Sequence, residues 1–303
     1  MRALASPTSL KGVLSARQAA AALARGLRRA GAEAEELPLA DGGEGTAEIL
    51  GAKVVQVEQV HDAFGRPRAV PIRELADGTV VVESAEEVPL DPERLDVRSA
   101  TSRGLGELLS RVGRCPRLLV CLGGTATMDG GAGLLEVLDA LPGPTTVLCD
   151  VRATLLEAPR LFGPQKGALA DDVAELEGRF LLLDHAHSLA KLRGGGAGGG
   201  LGAALASLGA KLVPGAPYVL EAIGFRERAA QTDLVLTGEG TVDRTTFEGK
   251  APGEALRVCE ELGVPCVLFG GRVEDGIEAV PLSGDPSHAA EDLENLGLSL
   301  GLA

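Results

Sequence analysis

Short apolar runs that stop abruptly on clusters of glycine and acid set the tightest limit on what this chain can fold into. Leu234-Val235-Leu236 ends in Thr237-Gly238-Glu239-Gly240, and a helix pattern from Glu254 to Leu262 follows. The buried-type run Arg117 to Leu122 ends likewise in Gly123-Gly124-Thr125-Ala126-Thr127-Met128-Asp129-Gly130-Gly131, before a helical stretch to Leu138. At the start, residues 2–5 read as a strand and Ser6 to Gly12 as a loop, and Ser15 is placed to cap a helix over 16–30. Ala32 to Leu39 reads as a second strand that closes in Ala40-Asp41-Gly42-Gly43-Glu44-Gly45-Thr46 and a short helix through Leu50. Strand, glycine turn and helix in alternation predict an α/β fold with a doubly wound parallel sheet. In such sheets ligands gather outside the carboxyl ends of the strands, and glycines there let the backbone approach a phosphate.

The texture changes at Lys53. Lys53 to Val60 alternates, His61 to Pro67 turns, Arg68 to Leu75 extends, Ala76-Asp77-Gly78 turns, and Thr79 to Ser84 extends again. That spacing predicts an antiparallel meander. A single core stops growing at about 250–300 residues, and the chain has 303. We therefore expect two domains: residues 1–51 with 191–303 forming one α/β domain, and 52–190 forming a second α/β domain with a mixed sheet inserted into it. Within the insert, Thr145 to Cys149 is a strand and 171–185 a helix. After it, Cys266 to Phe269 and Glu278 to Leu282 are strands, and Pro286 to Leu296 is a helix capped by Ser283 or Asp285. The run Gly194 to Gly202 is compatible with a flexible linker and equally with an anion cradle at a helix start.

Composition narrows the function. A net charge of -14 excludes general binding to a phosphate backbone, and aromatics at 2% leave no stacking surface for single strands. The five cysteines include no C-x-x-C pair, which suits a reducing cytoplasm. No apolar run reaches the roughly 18 residues of a spanning helix, and the amino terminus lacks the apolar core of a secretion signal. The expectation is a cytoplasmic protein with no nucleic-acid or membrane partner.

Three acidic glycine turns carry the chemistry: Asp41 to Gly45, Thr127 to Gly131, and Gly238 to Asp243. Paired carboxylates hold Mg²⁺ or take a proton from a hydroxyl. Lys11, Lys166 and Lys250, each in a glycine-containing loop of an acidic protein, are placed for anions. Glu239 and Asp243 are the metal candidates, and Lys250 is a cation able to meet a transferring phosphoryl group. There is no Walker A sequence, no dinucleotide fingerprint, no G-x-S-x-G elbow, and no metal-ligand partner for His185-Ala186-His187.

These turns, in this order, resemble the type I glycerate kinase family over nearly the whole chain. The matching residues are Pro7 with Ser9-Leu10-Lys11-Gly12, Ala40 to Thr46, Thr101-Ser102 with Gly104 and Gly106-Glu107-Leu108, and Leu122-Gly123-Gly124 with Ala126-Thr127 and Asp129 to Gly133. Cys149-Asp150-Val151, Phe162 to Ala168, Gly199 to Ala204, Thr237 to Gly240 with Asp243, and Gly249 to Pro252 complete the set. The resemblance implies transfer of the ATP γ-phosphate, with Mg²⁺, to a hydroxyl of D-glycerate, with the 2-hydroxyl as acceptor. It also implies a flavodoxin-like domain carrying an inserted α/β domain, with the active site in the cleft between them.

On that basis Lys11, Asp41, Glu44, Asp243 and Lys250 are the candidate catalytic residues. Ser9, Gly42, Gly43, Thr101, Ser102, Gly123, Gly124, Thr125, Thr127, Asp129, Gln165, Lys166, Gly196, Gly199, Gly200, Gly238 and Glu239 are the candidate binding residues. A homodimer is left open. The sequence departs from the family pattern at Thr8 (usually Asp), Met128 (usually Asn), Arg103, Leu105 and Arg152-Ala153-Thr154. A kinase for another small hydroxy acid, or a weakened ligand-binding relative, are the alternatives those departures raise.

Overall fold

A computed structural model describes residues 1–301 of the protein. Its strands are, in chain order, β1 (Arg2–Ala5), β2 (Glu33–Glu36), β3 (Lys53–His61), β4 (Pro67–Glu74), β5 (Thr79–Glu83), β6 (Arg117–Leu122), β7 (Thr145–Cys149), β8 (Lys211–Pro214), β9 (Leu234–Val242), β10 (Cys266–Val273) and β11 (Val280–Pro281). They form a five-stranded sheet in the order β11-β10-β9-β1-β2 and a six-stranded sheet in the order β3-β4-β5-β6-β7-β8. Each sheet belongs to its own compact unit, Met1–Asp41 with Ala216–Ala303 for the first and Gly42–Gly215 for the second.

In the first unit every strand pairing is parallel. Numbered within the unit, the order reads 2-1-3-4-5, the flavodoxin-like winding. Both faces are covered, and the alternation of strand side chains shows how. Ala3, Ala5, Leu236 and Phe269 pack with Leu23, Leu27, Leu293 and Leu296 of the helices Ala16–Arg29 and Ala289–Gly301. Leu4 and Val235 point the other way, against Leu220, Phe225, Ala255 and Val258. The helix Ala16–Arg29 starts as expected: Ser15 Oγ accepts the Gln18 N–H at 3.2 Å and Gln18 Oε1 accepts the Ser15 N–H at 2.9 Å, a capping box.

In the second unit, β3, β4 and β5 are antiparallel, the expected meander, while β5 through β8 are parallel. The core under this sheet is built from Val80, Val82, Leu118, Val120, Leu122 and Val147 with Leu105, Leu108, Leu201 and Leu205 of the covering helices. A second cluster around Leu155, Leu176, Phe180 and Met128 fills the space under the helices Ala158–Phe162 and Ala170–Leu181.

Several expectations need correction. β9 does not stop at Leu236, because β10 keeps pairing with it: Gly270 lies opposite Glu239, Arg272 opposite Thr241 and Val273 opposite Val242. The acidic stretch expected in a loop is therefore held on a strand. The second sheet takes in β8, whose pairing with β7 carries the second unit to Gly215, past the expected end at 190. At its other end, that unit begins at Gly42 instead of 52. Gly194 to Gly202 is no linker. It leads into the helix Ala197–Ser207, with Gly198, Gly199 and Gly200 at positive φ. The last helix begins as a 3₁₀ turn, Pro286–His288, capped by Asp285 rather than Ser283.

The first unit's outer helices touch through their backbones. A Cβ on Gly26 would stand 1.9 Å from the Glu294 carbonyl oxygen and 2.7 Å from the Leu298 nitrogen, and one on Gly297 would stand 2.3 Å from the Leu23 oxygen. Neither neighbour is a flexible side-chain end, so one added methyl must push the helices apart. Gly26→Ala is expected to destabilise the protein by about 2–3 kcal/mol. Urea titration measures this, and a loss below about 0.5 kcal/mol would mean the helices slide at no cost.

Candidate active site

In a sheet wound 2-1-3-4-5, the connections from neighbouring strands part to opposite faces between the first and third strands, and a crevice opens at their carboxyl ends. Here those strands are β1 and β9. The Ser6 N–H donates to Leu236 O at 2.8 Å, Thr237 Oγ1 donates to Ser6 O at 2.7 Å, and Thr8 donates to Gly238 O from both N (2.9 Å) and Oγ1 (3.1 Å). The loop after β1 is thereby laced along β9. It then turns back through reciprocal Leu10 and Leu14 backbone bonds, which places the Lys11 backbone nitrogen 3.6 Å from where a Cβ on Gly240 would stand. Ser9 is exposed in this loop.

Glu239 stands on β9 close to Lys250, the residue before the helix Ala251–Leu262. Lys250 Nζ lies 3.5 Å from Glu239 Oε2 and 3.8 Å from Asp243 Oδ1. Glu239 Oε1 accepts the Thr246 hydroxyl at 2.7 Å, and Asp243 Oδ1 accepts the Thr245 N–H at 2.8 Å. Burial pushes the Glu239 carboxyl above the usual range and nearby Asp41 adds to this, against the pull of Thr246 and Lys250. Burial also acts on Asp243, but the Thr245 hydrogen bonds and Lys250 outweigh it and hold its pKa down. The result is one carboxylate that stays ionised more readily than usual beside one that more readily takes a proton. Mg²⁺ is ordinarily held by one or two carboxylates plus substrate phosphates, and the hard oxygens of Glu239 and Asp243 fit that role.

The second unit gathers its own set at the carboxyl ends of β5, β6 and β7. Gly42 is pressed into place, since a Cβ there would stand 2.6 Å from Gly215 Cα and 2.9 Å from Leu148 Cβ. A Cβ on Gly123 would stand 3.1 Å from Gly43 Cα and 2.9 Å from Asp150 Oδ2, and one on Gly124 would stand 3.8 Å from Glu44 Oε2. Gly43, Glu44, Gly123, Gly124 and Asp150 thus share one neighbourhood. Lys166 is buried with Nζ donating to Thr127 O at 2.8 Å and close to Thr125 Oγ1 at 3.4 Å. Its neighbour Gln165 is exposed.

Other expected site residues turn their polar groups inward. Asp129 Oδ2 accepts the Ser102 N–H and O–H, both at 2.8 Å, and the Gly133 N–H at 3.1 Å, while Oδ1 accepts the Gly131 N–H at 3.0 Å. Thr101 Oγ1 donates to Asp129 Oδ2 as well, at 3.4 Å. Asp129 and Ser102 therefore organise the turn from within. The cradle expected at Gly196, Gly199 and Gly200 does not form, because these N–H groups bond to backbone carbonyls: Gly196 to Ala153 O, Gly199 and Gly200 to Gly196 O. Thr127 Oγ1 and the Gly130 N–H in turn bond to this segment, at Gly198 O and Gly199 O.

The structure also shows what the sequence reading passed over. Asp150, part of a matching motif but given no role from the sequence, directly follows the buried run Thr145–Cys149 and lies near Gly123 and Lys166. Thr246, Glu83 and Ser84 had no comparable signal.

Burial drives the Lys166 pKa down to about 8, although Asp150 and Asp129 pull it back up. Between about pH 8 and about pH 10 the folded protein has released this proton while the unfolded chain still holds it, so stability from this group rises with pH across that window. Below it the buried ammonium costs on the order of 3 kcal/mol. Lys166→Met is expected to flatten that rise. Denaturant midpoints for wild type and variant at about pH 7.5 and about pH 9.5 read it out, and parallel pH dependences would show that Lys166 is solvated.

Comparison with known proteins agrees with the geometry. The model of the Glycerate kinase family matches residues 3–141 and 143–287. The glycerate kinase of Bacillus subtilis (strain 168) is 33% identical, over 97% of this chain and 95% of that protein. The glycerate 2-kinase of Escherichia coli (strain K12) is 31% identical, over 94% of this chain and 88% of that protein. The crystal structure of a putative glycerate kinase 2 from Salmonella typhimurium LT2 superposes with a TM-score of 0.78 at 28% identity, covering 99% of this chain and 97% of that one. With its flavodoxin-like winding, its acid-and-lysine cluster at the β1/β9 switch point and these matches along its length, the chain belongs to the glycerate kinase family.

Proposed function

We propose that this protein transfers the γ-phosphoryl group of ATP to the 2-hydroxyl of D-glycerate, giving 2-phosphoglycerate, with Mg²⁺ accompanying the nucleotide. The observation that carries the reading is Lys250 flanked by Glu239 and Asp243 where β9 emerges beside the loop of Lys11. Phosphoryl transfer needs charge and positioning more than covalent chemistry from the protein. In the step itself, the acceptor oxygen bonds to the γ-phosphorus, the bond from that phosphorus to the β-phosphate oxygen breaks, and the hydroxyl proton passes to a carboxylate.

Lys250 and Lys11 are assigned to the phosphate and glycerate anions. Asp41, close enough to Glu239 to raise its pKa, is assigned to the proton. Glu239 and Asp243 would hold Mg²⁺, which when bound neutralises charge on the phosphates. Glu44 and the Gly43, Gly123 and Gly124 backbones of the second unit are assigned to the same reaction. The five free cysteines suit the reducing cytoplasm in which we place it.

A coupled ADP-release assay with D-glycerate and Mg-ATP tests the activity, and ³¹P NMR of the product tests the position. Turnover giving 2-phosphoglycerate is expected, and Lys250→Met should lower kcat/KM by about 100-fold or more with an unchanged circular dichroism spectrum. No turnover above background from folded wild type would end the proposal. A Lys250→Met enzyme within about threefold of wild type would remove Lys250 from it.

A further inference from the structure

β5 ends at Glu83, a glutamate only 4% exposed. Its Oε1 accepts the Ala47 N–H at 2.5 Å and its Oε2 accepts the Gly45 N–H at 3.1 Å. The next residue, Ser84, is fully buried; its Oγ donates to Cys121 O at 3.0 Å and accepts the Gly123 N–H at 3.4 Å. Two turns far apart in the chain, Gly43-Glu44-Gly45 and Gly123-Gly124, therefore hang from consecutive residues at one strand end. The pairing of Glu83 with Cys121 in the parallel β5–β6 register makes that possible, because it brings the end of β6 beside the end of β5. Charge pairing at this strand end falls to Glu86, which takes the Arg73 guanidinium through both oxygens, at 2.5 and 2.7 Å. Glu83 is left to the backbone donors.

We propose that Glu83 and Ser84 are positioning residues of this enzyme, holding the Gly43–Gly45 and Gly123–Gly124 turns in the arrangement that binds substrate. This rests on the reading that both turns serve glycerate phosphorylation. A carboxylate matches two converging N–H groups because it offers lone pairs on both oxygens and no donor. A glutamine of the same shape turns an NH₂ toward one of those N–H groups and must release it. An aspartate keeps both acceptors on a shorter stem. A turn freed this way still exists but no longer stands where the anion needs its backbone, so the loss is one of substrate binding.

Amide exchange and steady-state kinetics on the full-length protein test this together. Glu83→Gln should speed exchange at the Gly45 and Ala47 amides by about tenfold or more. It should also lower kcat/KM by about tenfold, carried mainly in the KM for ATP or for glycerate. Glu83→Asp should fall between this variant and wild type, and Ser84→Ala should raise exchange at Gly123 with a KM effect of the same kind. A role in folding alone would lower the amount of active enzyme, and with it kcat, while leaving KM where it was. Both KM values within about twofold of wild type in folded Glu83→Gln overturn the proposal. If that variant does not fold, the same result in Glu83→Asp and Ser84→Ala overturns it. A wild type with no glycerate turnover defeats the functional reading instead. In that event unchanged Gly45 and Ala47 exchange still overturns the strap, and accelerated exchange supports it.

Discussion

A methyl group on Gly199 would lie 1.9 Å from the Thr127 carbonyl oxygen, and one on Gly200 would lie 2.5 Å from Gly130 Cα. Backbone pressed against backbone in this way recurs at Gly42 against Gly215 and at Gly238, where a Cβ would meet Phe269 O at 2.2 Å. Composition explains the device. With aromatics at 2%, the core is made mostly of Ala, Val and Leu side chains, and elements spaced by such side chains come close enough that some crossings leave no room for a Cβ. Interiors pack to crystal-like density, so an added methyl at one of these points displaces the turn itself. The glycines that look like phosphate loops in the sequence are in several cases the fastenings of those loops.

The two sheets present polar groups in the same way from different chemistry. In the first unit Lys250 is partly exposed between two carboxylates, the largely buried one of Glu239 at 3.5 Å and that of Asp243 at 3.8 Å. In the second unit Lys166 is buried and bonded to a carbonyl, with its charge balanced by Asp150 and Asp129. A protein of net charge -14 must create local positive potential against its own field. Few cations suffice where water is partly excluded, because Coulomb energy grows as the effective dielectric falls.

Period and punctuation were legible in the sequence, and partner-dependent detail was not. The alternation from Lys53 to Ser84 gave away the meander, and Ser15 with Gln18 marked a helix start. β8 could not be seen because Lys211–Pro214 has no buried run, only a place beside β7. β9 was read short because glycine and acid break the apolar pattern while β10 continues the ladder. The sequence put Glu239, Asp243 and Lys250 in one loop; the structure brings Lys250 to 3.5 Å from Glu239 and 3.8 Å from Asp243, with Glu239 on β9 itself. The bonds from Ser102 to Asp129 and from the Gly196 N–H to Ala153 O depend on neighbours from other parts of the chain. No local rule reports those.

The departures from the family pattern take on structural work here. Thr8, at the position where the family pattern described above has Asp, bonds the loop after β1 to Gly238 O through both its N–H and its hydroxyl. Met128 is fully buried against the cluster around Leu155 and Phe180, where an unbranched, polarisable side chain fills an irregular gap. Arg103 reaches Glu107 at 3.3 Å and Glu136 at 3.1 Å, exposed pairs worth little each. Around β9 the first unit carries Asp41, Glu239 and Asp243, with Asp41 near enough to Glu239 to shift its pKa. On the reading proposed above, the reacting acids lie on β9 and beside it, and the loop after β1 braces them through Thr8.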